Sequence, residues 1–146
     1  MQVFIGSDHR GFELKEKLKE NLVKRGFSVT DTSETTLNPS DDYPDVAAHV
    51  GKQVSVDSES RGIVLCGSGV GVDITANKID GIRCGLALNI DQIKAARQDD
   101  NINVLAIAAD YIALENAQEL VTTFLETKYE NSESHQRRID KISALE

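Results

Sequence analysis

A short apolar segment followed by regularly spaced glycines constrains the fold of this chain more than any other feature. Residues 63–66 are apolar and end in Cys66, as expected of a strand buried in a parallel sheet. Gly67, Gly69 and Gly71 follow at every second position, and they permit a tight turn with exposed backbone N–H groups before a helix. The pattern predicts a thiol and several N–H donors at the carboxyl end of a strand, the edge where open α/β sheets bind ligands.

Elsewhere, apolar strand-like runs alternate with amphipathic helical stretches, which is typical of an α/β fold with a parallel sheet. The length of 146 residues and this single pattern predict one domain, residues 1–146. The last helix stands outside the alternation; it either packs on its own domain, which the sequence favours, or reaches a partner. The predicted strands are residues 3–7, 27–30, 63–66, 82–88 and 104–108, and the predicted helices are residues 11–25, 43–56, 70–78, 91–98 and 111–128, followed by a helix that contains Ile139, Ile142 and Leu145.

Charge and cysteine usage narrow the partners and the compartment. The formal net charge is −8, and nucleic acids or anionic membranes require a basic face, so we expect neither as a partner. An anionic small substrate stays open, because a local site can be positive on an acidic protein. Cys66 and Cys84 lie far apart without metal-ligand spacing, which indicates reduced thiols in the cytoplasm. No apolar stretch approaches the roughly 20 residues of a membrane span.

Three chemically active side chains follow the first predicted strand. Asp8, His9 and Arg10 come directly after residues 3–7. Asp8 taken alone is most simply an N-cap of the first helix, but a cap requires neither an imidazole nor a guanidinium. If the strand order is 2-1-3-4-5, the loops after strands one and three flank one crevice. In that order Asp8, His9 and Cys66 converge.

Cys66 itself has two interpretations. A buried structural thiol is the common fate of cysteine. The glycine loop favours a functional thiol, because oriented N–H groups stabilise a thiolate and can also hold an oxyanion. Cys84 has no such loop after it and is assigned to the core. The glycine spacing matches neither a Walker loop nor the dinucleotide-binding fingerprint.

Two charged segments are predicted to lie away from this edge. Asp99 and Asp100 follow the fourth helix at the amino edge of the sheet, where they cannot reach Cys66 of the same chain. They form either a solvated connection or part of a site in a second subunit. Arg137 and Arg138 belong to a small basic cluster, which either compensates nearby carboxylates or binds an anion.

Together these segments resemble the sugar-phosphate isomerases that include type B ribose-5-phosphate isomerase and the galactose-6-phosphate isomerase subunits. The resemblance covers nearly the whole chain. It implies a three-layer αβα fold with a doubly wound five-stranded sheet and an extra C-terminal helix. It also implies a homodimer, able to pair into a tetramer, that isomerises an aldose and a ketose through a cis-enediolate without metal or cofactor. The matching blocks are residues 6–11 (GSDHRG), 42–44 (DYP), 66–71 (CGSGVG), 76–78 (ANK), 81–83 (GIR), 103–105 (NVL) and 135–138 (HQRR).

The resemblance also implies roles for individual residues at the thiol. Cys66 matches the general base that moves a proton between C1 and C2, and Ser68 matches a hydroxyl that assists it. Fixed donors aimed at a developing negative charge lower the barrier to reaction. The backbone N–H groups that match the enediolate oxygen site belong to Gly67, Gly69, Val70 and Gly71.

Substrate contacts are matched less completely. Asp8 matches a contact to substrate hydroxyls, and His9 and Arg138 match phosphate contacts. Two other phosphate-binding arginines of the family are replaced by Asp110 and Ser134. Replacement of an arginine by aspartate repels an anion as well as removing an attraction.

The ring-opening position also departs from the family. Its histidine and the following asparagine are Asp99 and Asp100 here. A carboxylate can act as acid or base on a ring hydroxyl, so Asp99 is a candidate catalytic residue and Asp100 a candidate substrate contact. Arg10 and Arg137 lie beside matched positions and are candidate replacements for the missing arginines.

We therefore expect an isomerase of a small aldose or ketose, such as a ribose 5-phosphate-like sugar phosphate, with or without the phosphate. A catalytically impaired paralogue that binds a sugar or pairs with an active subunit is the alternative, motivated by Asp99, Asp110 and Ser134. A hydrolase with a cysteine nucleophile is weaker, because only His9 is placed as a partner for Cys66.

Overall fold

Five parallel strands and six helices make up the computed structural model, which describes residues 1–146. The strands are β1 (Gln2–Ser7), β2 (Ser28–Asp31), β3 (Arg61–Cys66), β4 (Cys84–Leu86) and β5 (Val104–Ala108), and the helices are α1 (Phe12–Lys24), α2 (Tyr43–Ser55), α3 (Val70–Ala76), α4 (Ile90–Asp100), α5 (Leu114–Glu126) and α6 (Glu133–Ser143).

The strand order is β2-β1-β3-β5-β4, so the predicted order 2-1-3-4-5 is wrong at one edge of the sheet. Residues 104–107 of β5 are completely buried, and such an apolar run requires cover on both faces and neighbours on both sides. The segment around β4 is half-buried and forms a strand of only three residues, which suits an edge. β1 and β3 are still neighbours, so the direction in which the chain adds strands still reverses between them, as predicted.

Helices cover both faces of the sheet, which confirms the three-layer doubly wound fold. Leu18 of α1 and Phe124 of α5 pack on the face that contains Ile63 and Leu65. Val50 of α2 and Val72 and Ala76 of α3 pack on the opposite face, with Val64 and Cys66. This alternation along β3 is the two-residue period of a strand, and it puts Cys66 beneath α2 and α3.

Several element boundaries differ from the predictions because local side chains fix them. Asn89 caps α4 by accepting a hydrogen bond from Gln92 N at 2.9 Å. The helix then runs through Asp100, so Asp99 and Asp100 lie in its last turn rather than in a loop. A 3₁₀ turn over Ala109–Tyr111 delays α5 until Leu114.

The last helix packs within its own chain on one side only. Ser132 caps α6 by accepting a hydrogen bond from His135 N at 3.2 Å. Ile139 is buried and the helix contacts α4, whereas Ile142 and Leu145 stay exposed. Own-domain packing therefore holds for one face of α6, and the other face remains open.

Candidate active site

The carboxyl ends of β1, β3 and β5 meet at one edge of the sheet. β1 and β3 are hydrogen-bonded in register, with Ser7 opposite Leu65, and β3 pairs with β5 so that Cys66 lies opposite Ala108. Asp8 N donates to Leu65 O at 3.3 Å. The loops that follow these three strands therefore surround Cys66, as expected from the adjacency of β1 and β3.

The glycine loop contains backbone N–H groups that have no partner in the chain. The N–H groups of Gly67, Ser68, Gly69 and Gly71 donate to no atom of the chain, and Val70 N makes only a long contact of 3.4 Å with Ser68 Oγ. Gly69 has a φ of 73°, and a Cβ on it would lie 2.6 Å from Leu86 Cδ1. Only glycine adopts this backbone conformation here without strain or a clash, so the loop that holds the unpaired donors depends on the residue type at position 69.

Cys66 immediately precedes this loop and has little exposure. Its relative exposure is 4 % and it packs with the apolar residues of α2 and α3. A cavity of about 780 Å³ reaches the loop at Ser68, but neither Cys66 nor His9 lines it. In a single chain Cys66 thus adjoins the unpaired donors in sequence, and it is nearly covered by α2 and α3.

Cys84 differs from Cys66 in its surroundings. It packs against the core beside α2 and α3, and burial raises the pKa of its thiol well above the usual range, with the Asp73 carboxylate adding to the rise. A thiol in this state is a poor base at neutral pH. Its assignment to the core agrees with this geometry.

Asp8 serves the backbone with one of its oxygens. Oδ1 accepts hydrogen bonds from Arg10 N at 3.0 Å and Gly11 N at 3.1 Å, which is a side-chain turn before the helix. The N-cap of α1 is Gly11, so the interpretation of Asp8 as the N-cap is wrong. Oδ2 has no partner in the chain. Asp8 can therefore accept a further hydrogen bond from a ligand hydroxyl at this edge.

His9 is held by a carboxylate that the sequence reasoning did not find. Asp41 Oδ1 accepts a hydrogen bond from His9 N at 2.9 Å and lies 2.7 Å from His9 Nδ1. The Asp41 side chain is 14 % exposed and the His9 side chain 36 % exposed. Nε2 has no partner in the chain, so the outer nitrogen of the ring is available to a ligand.

Arg10 lies across the glycine loop, and its charge is paired. Its guanidinium packs so closely on Gly67 that no Cβ fits there. Its Nη2 donates to Asp110 Oδ2, and Asp110 N donates to Gly67 O at 3.0 Å. Arg10 therefore lies beside the glycine loop. Its contact with a substrate stays a prediction, and its pairing with Asp110 was not predicted from the sequence.

A family model described as Ribose/Galactose Isomerase matches residues 3–142 of this chain. The chain belongs to the ribose/galactose isomerase family. The resemblance noted from the sequence is thereby confirmed, and the enzyme class that it implied, aldose–ketose isomerase, is confirmed with it.

Individual relatives within this family match nearly end to end. The probable ribose-5-phosphate isomerase B of Mycoplasma genitalium is 39% identical over 145 residues, which are 99% of this chain and 95% of that protein. The crystal structure of the Mycoplasma genitalium enzyme with bound ribulose-5-phosphate superposes with a TM-score of 0.94 at 38% identity, covering 99% of this chain and 95% of that one. A ribose 5-phosphate isomerase from Thermotoga maritima gives a TM-score of 0.91 at 41% identity, over 98% and 97% of the two chains.

The remaining candidate residues of this family member lie at the opposite edge. Asp99 and Asp100 end α4, which leads into the start of β5, and Asp99 Oδ1 lies 3.7 Å from His135 Nε2. Arg137 and Arg138 are exposed on α6 and make no hydrogen bond or ion pair within the chain. The structure does not bring these four residues to Cys66 of the same chain.

The chain has neither a cluster of metal ligands nor a helix suited to a membrane. No group of three or more His, Cys, Asp or Glu side chains is arranged to hold a metal ion. No helix combines the length and the apolar character that crossing a membrane requires.

Proposed function

We propose that this family member interconverts an aldose and a ketose of a ribose 5-phosphate-like sugar phosphate through a cis-enediolate. The observation that carries the proposal is the position of Cys66 at the end of β3, immediately before a loop with four unpaired N–H groups. Relatives that match the chain end to end bear the name ribose-5-phosphate isomerase B, and one was crystallised with ribulose-5-phosphate.

In the proposed reaction Cys66 acts as the general base. Its thiolate removes the proton from C2 of the open-chain aldose and returns it to C1, while the electron pair passes through the enediolate. The N–H groups of residues 67–71 stabilise the negative charge on oxygen, since fixed donors need no reorganisation as charge develops. The exposed Ser68 hydroxyl relays the proton between O1 and O2.

The substrate is positioned by the loop after β1. Asp8 Oδ2 accepts a hydrogen bond from a sugar hydroxyl, and His9 Nε2 donates to the distal phosphate. Arg10, which lies over Gly67, contributes positive charge beside His9. A positioned substrate converts proton abstraction into an intramolecular step, which lowers the entropic part of the barrier.

The site is completed by a second copy of the chain in a homodimer, which can pair into a tetramer. Asp99 and Asp100 of the second copy reach the sugar ring and open it, and Arg137 and Arg138 reach the phosphate. Support comes from the unpaired arginines of α6 and from apolar side chains exposed at the carboxyl edge, namely Leu88, Ile90 and Tyr111. Both cysteines are free, which suits a reducing cytoplasm.

The proposed chemistry is tested with sugars incubated in D₂O. We expect proton NMR to show net aldose–ketose conversion, or deuterium at C1 or C2, with ribose 5-phosphate or a related sugar phosphate. Cys66→Ala should reduce both by at least about 100-fold, whereas Cys84→Ala, the matched control, should retain them. The proposal fails if no sugar phosphate or free sugar reacts, or if Cys66→Ala reacts as fast as the unaltered protein.

The shared site is tested by mixing two variants. Cys66→Ala and Arg138→Ala remove residues that the proposal places on opposite sides of one interface. Subunit exchange at equal amounts makes half of the dimers mixed, each with one intact site, so about a quarter of the activity should return. No recovery, with subunit exchange verified by native mass spectrometry, would place both residues in one subunit's site.

A sugar-binding subunit without catalytic activity is the second candidate. It is favoured by the pairing of Arg10 with Asp110 and by the 4 % exposure of Cys66. The D₂O experiment separates the two, because a binding protein shifts the resonances of a sugar without exchanging its C1 or C2 protons.

A further inference from the structure

The ion pair between Arg10 and Asp110 is anchored to the glycine loop at both ends. The guanidinium of Arg10 packs on Gly67. Asp110 holds the same residue through its backbone, since its N–H donates to Gly67 O at 3.0 Å. The pair therefore joins the loops after β1 and β5 directly beside the residue that follows Cys66.

We propose that Asp110 is a specificity-determining residue of this site, because its carboxylate competes with an anionic substrate group for the Arg10 guanidinium. The inference rests on the proposed function for its substrate but not for its binding chemistry. Arg10 is the residue next to His9 in the sequence, so an anion that binds His9 Nε2 also comes near the Arg10 side chain. The anion must either displace Asp110 from Arg10 or bind beside a negative charge.

The expected discrimination follows from the exposure of the pair. The Arg10 side chain is 54% exposed and that of Asp110 36% exposed, and ion pairs in such surroundings are weak because water and salt screen them. A dianion can therefore take over the guanidinium at a modest loss of affinity. Removal of the Asp110 charge should tighten phosphate binding about fivefold, a factor typical of an exposed ion pair.

The effect should depend on the charge of the ligand. An unphosphorylated sugar does not compete for Arg10, so its binding should be unchanged when Asp110 becomes Asn. A sugar phosphate should bind more tightly in the same variant. Asp110 thus lowers the preference of the site for phosphorylated over free sugars. An Arg10 guanidinium without a paired carboxylate would raise that preference.

The test uses inorganic phosphate as the probe and the full chain in its native assembly. Phosphate is titrated at constant ionic strength while amide and imidazole resonances are followed by NMR. Asp110→Asn should lower the Kd about fivefold, and Arg10→Gln should raise it. In the Arg10→Gln background, Asp110→Asn should have little further effect, because the cation for which it competes is gone.

A matched control separates local competition from net charge. Glu59→Gln removes one exposed carboxylate in the turn before β3, at the opposite edge of the sheet, and should leave the Kd unchanged. Thermal unfolding verifies that each variant is folded. The proposal is overturned if Asp110→Asn leaves phosphate affinity unchanged or weakens it, if it acts equally with Arg10→Gln, or if neither the unaltered protein nor Asp110→Asn binds phosphate.

Failure of this inference is distinguishable from failure of the proposed function. Phosphate binding requires no turnover, so a protein that isomerises nothing can still show the Asp110 effect. Conversely, Cys66→Ala should lose deuterium exchange and keep the phosphate response.

Discussion

Replacement of Lys15 by Met should destabilise the protein strongly, because it breaks a buried charge pair. The Lys15 side chain in α1 is completely buried, and Nζ lies 2.8 Å from Asp31 Oδ2. It also donates to Ser33 Oγ at 3.0 Å and to Glu34 O at 3.1 Å. Removal of one partner from a buried pair costs about 3–5 kcal/mol.

Lys19 reduces the expected loss. Its Nζ also lies 2.8 Å from Asp31 Oδ2, so the Asp31 carboxylate keeps one cation when Lys15 is replaced. We therefore expect the free energy of unfolding to fall by about 2–3 kcal/mol in Lys15→Met. In Asp31→Asn the buried ammonium of Lys15 keeps no carboxylate except Glu16, 3.2 Å away and partly exposed, so the loss should lie toward about 5 kcal/mol.

The loss should depend on pH with a definite sign. Burial alone raises the pKa of Asp31, but hydrogen bonds from Lys15 and Lys19 outweigh it and hold the pKa below its usual range. A carboxyl group whose folded pKa is lowered stabilises the protein above its unfolded pKa, and this contribution is lost as the pH falls through the folded pKa. The difference between Lys15→Met and the unaltered protein should therefore be largest at neutral pH and shrink below about pH 4.

Urea unfolding across this pH range measures these quantities. The double variant Lys15→Met with Asp31→Asn has neither buried charge, so its loss should be at least about 1 kcal/mol smaller than the sum of the single losses. Strict additivity would refute the argument, and so would a loss below about 1 kcal/mol for Lys15→Met at neutral pH.

Three further predictions concern single positions at the site and one remote glycine. Gly69→Ala should lower the free energy of unfolding by about 2–4 kcal/mol, because φ is 73° and the new Cβ would lie 2.9 Å from Ala108 N. Gly26→Ala, with φ of 88° and open space, should cost about 1 kcal/mol; equal losses in urea unfolding would contradict the steric argument. Ser7→Ala should stabilise by about 1 kcal/mol, since Ser7 Oγ is buried without a partner, and a lowered melting temperature would count against this. Asp41→Ala should shift the imidazole nitrogen resonances of His9 and leave those of His49 and His135 in place; unchanged His9 resonances would mean that Asp41 does not hold the ring.

The sequence was sufficient for the parts of the site that are local in the chain. Asp8 directly follows one apolar strand and Cys66 ends another, and their convergence requires only that β1 and β3 are neighbours. The exchange of β4 and β5 leaves β1 and β3 adjacent, so the error in strand order does not affect the predicted convergence of Asp8 and Cys66. The order itself could not be derived from the pattern, because both segments are apolar and of similar predicted length, and only packing made β4 short and marginal.

The partners of the charged residues could not be found in the same way. Asp41 is separated from His9 by 32 residues, and Asp110 is separated from Arg10 by 100. Each pairing depends on how a loop closes over the sheet edge, and neither loop has a spacing rule that predicts it. Asp41 lies directly before the matched block at residues 42–44, but nothing in the sequence around it predicts that its partner is His9.

The two edges of the sheet divide the proposed site into halves that one chain cannot join. Cys66, Asp8 and His9 lie where strands end, whereas Asp99 lies where α4 returns to the start of β5, and parallel strands keep these edges apart over their full length. In the two-fold dimer that we propose, each subunit would offer its amino edge to the carboxyl edge of the other, so the same contact would complete both sites. Until that contact forms, Arg10 is the only arginine at the edge beside Cys66, and its guanidinium is paired with Asp110.

Phosphate affinity should therefore rise when the dimer forms, because Arg137 and Arg138 of the second copy then reach the site. The rise should be steeper in Asp110→Asn than in the unaltered protein, because only in that variant is the Arg10 guanidinium also free to bind the phosphate. Titration of phosphate at protein concentrations above and below dimer dissociation measures this directly, and equal affinity on both sides of the transition would contradict the division of the site.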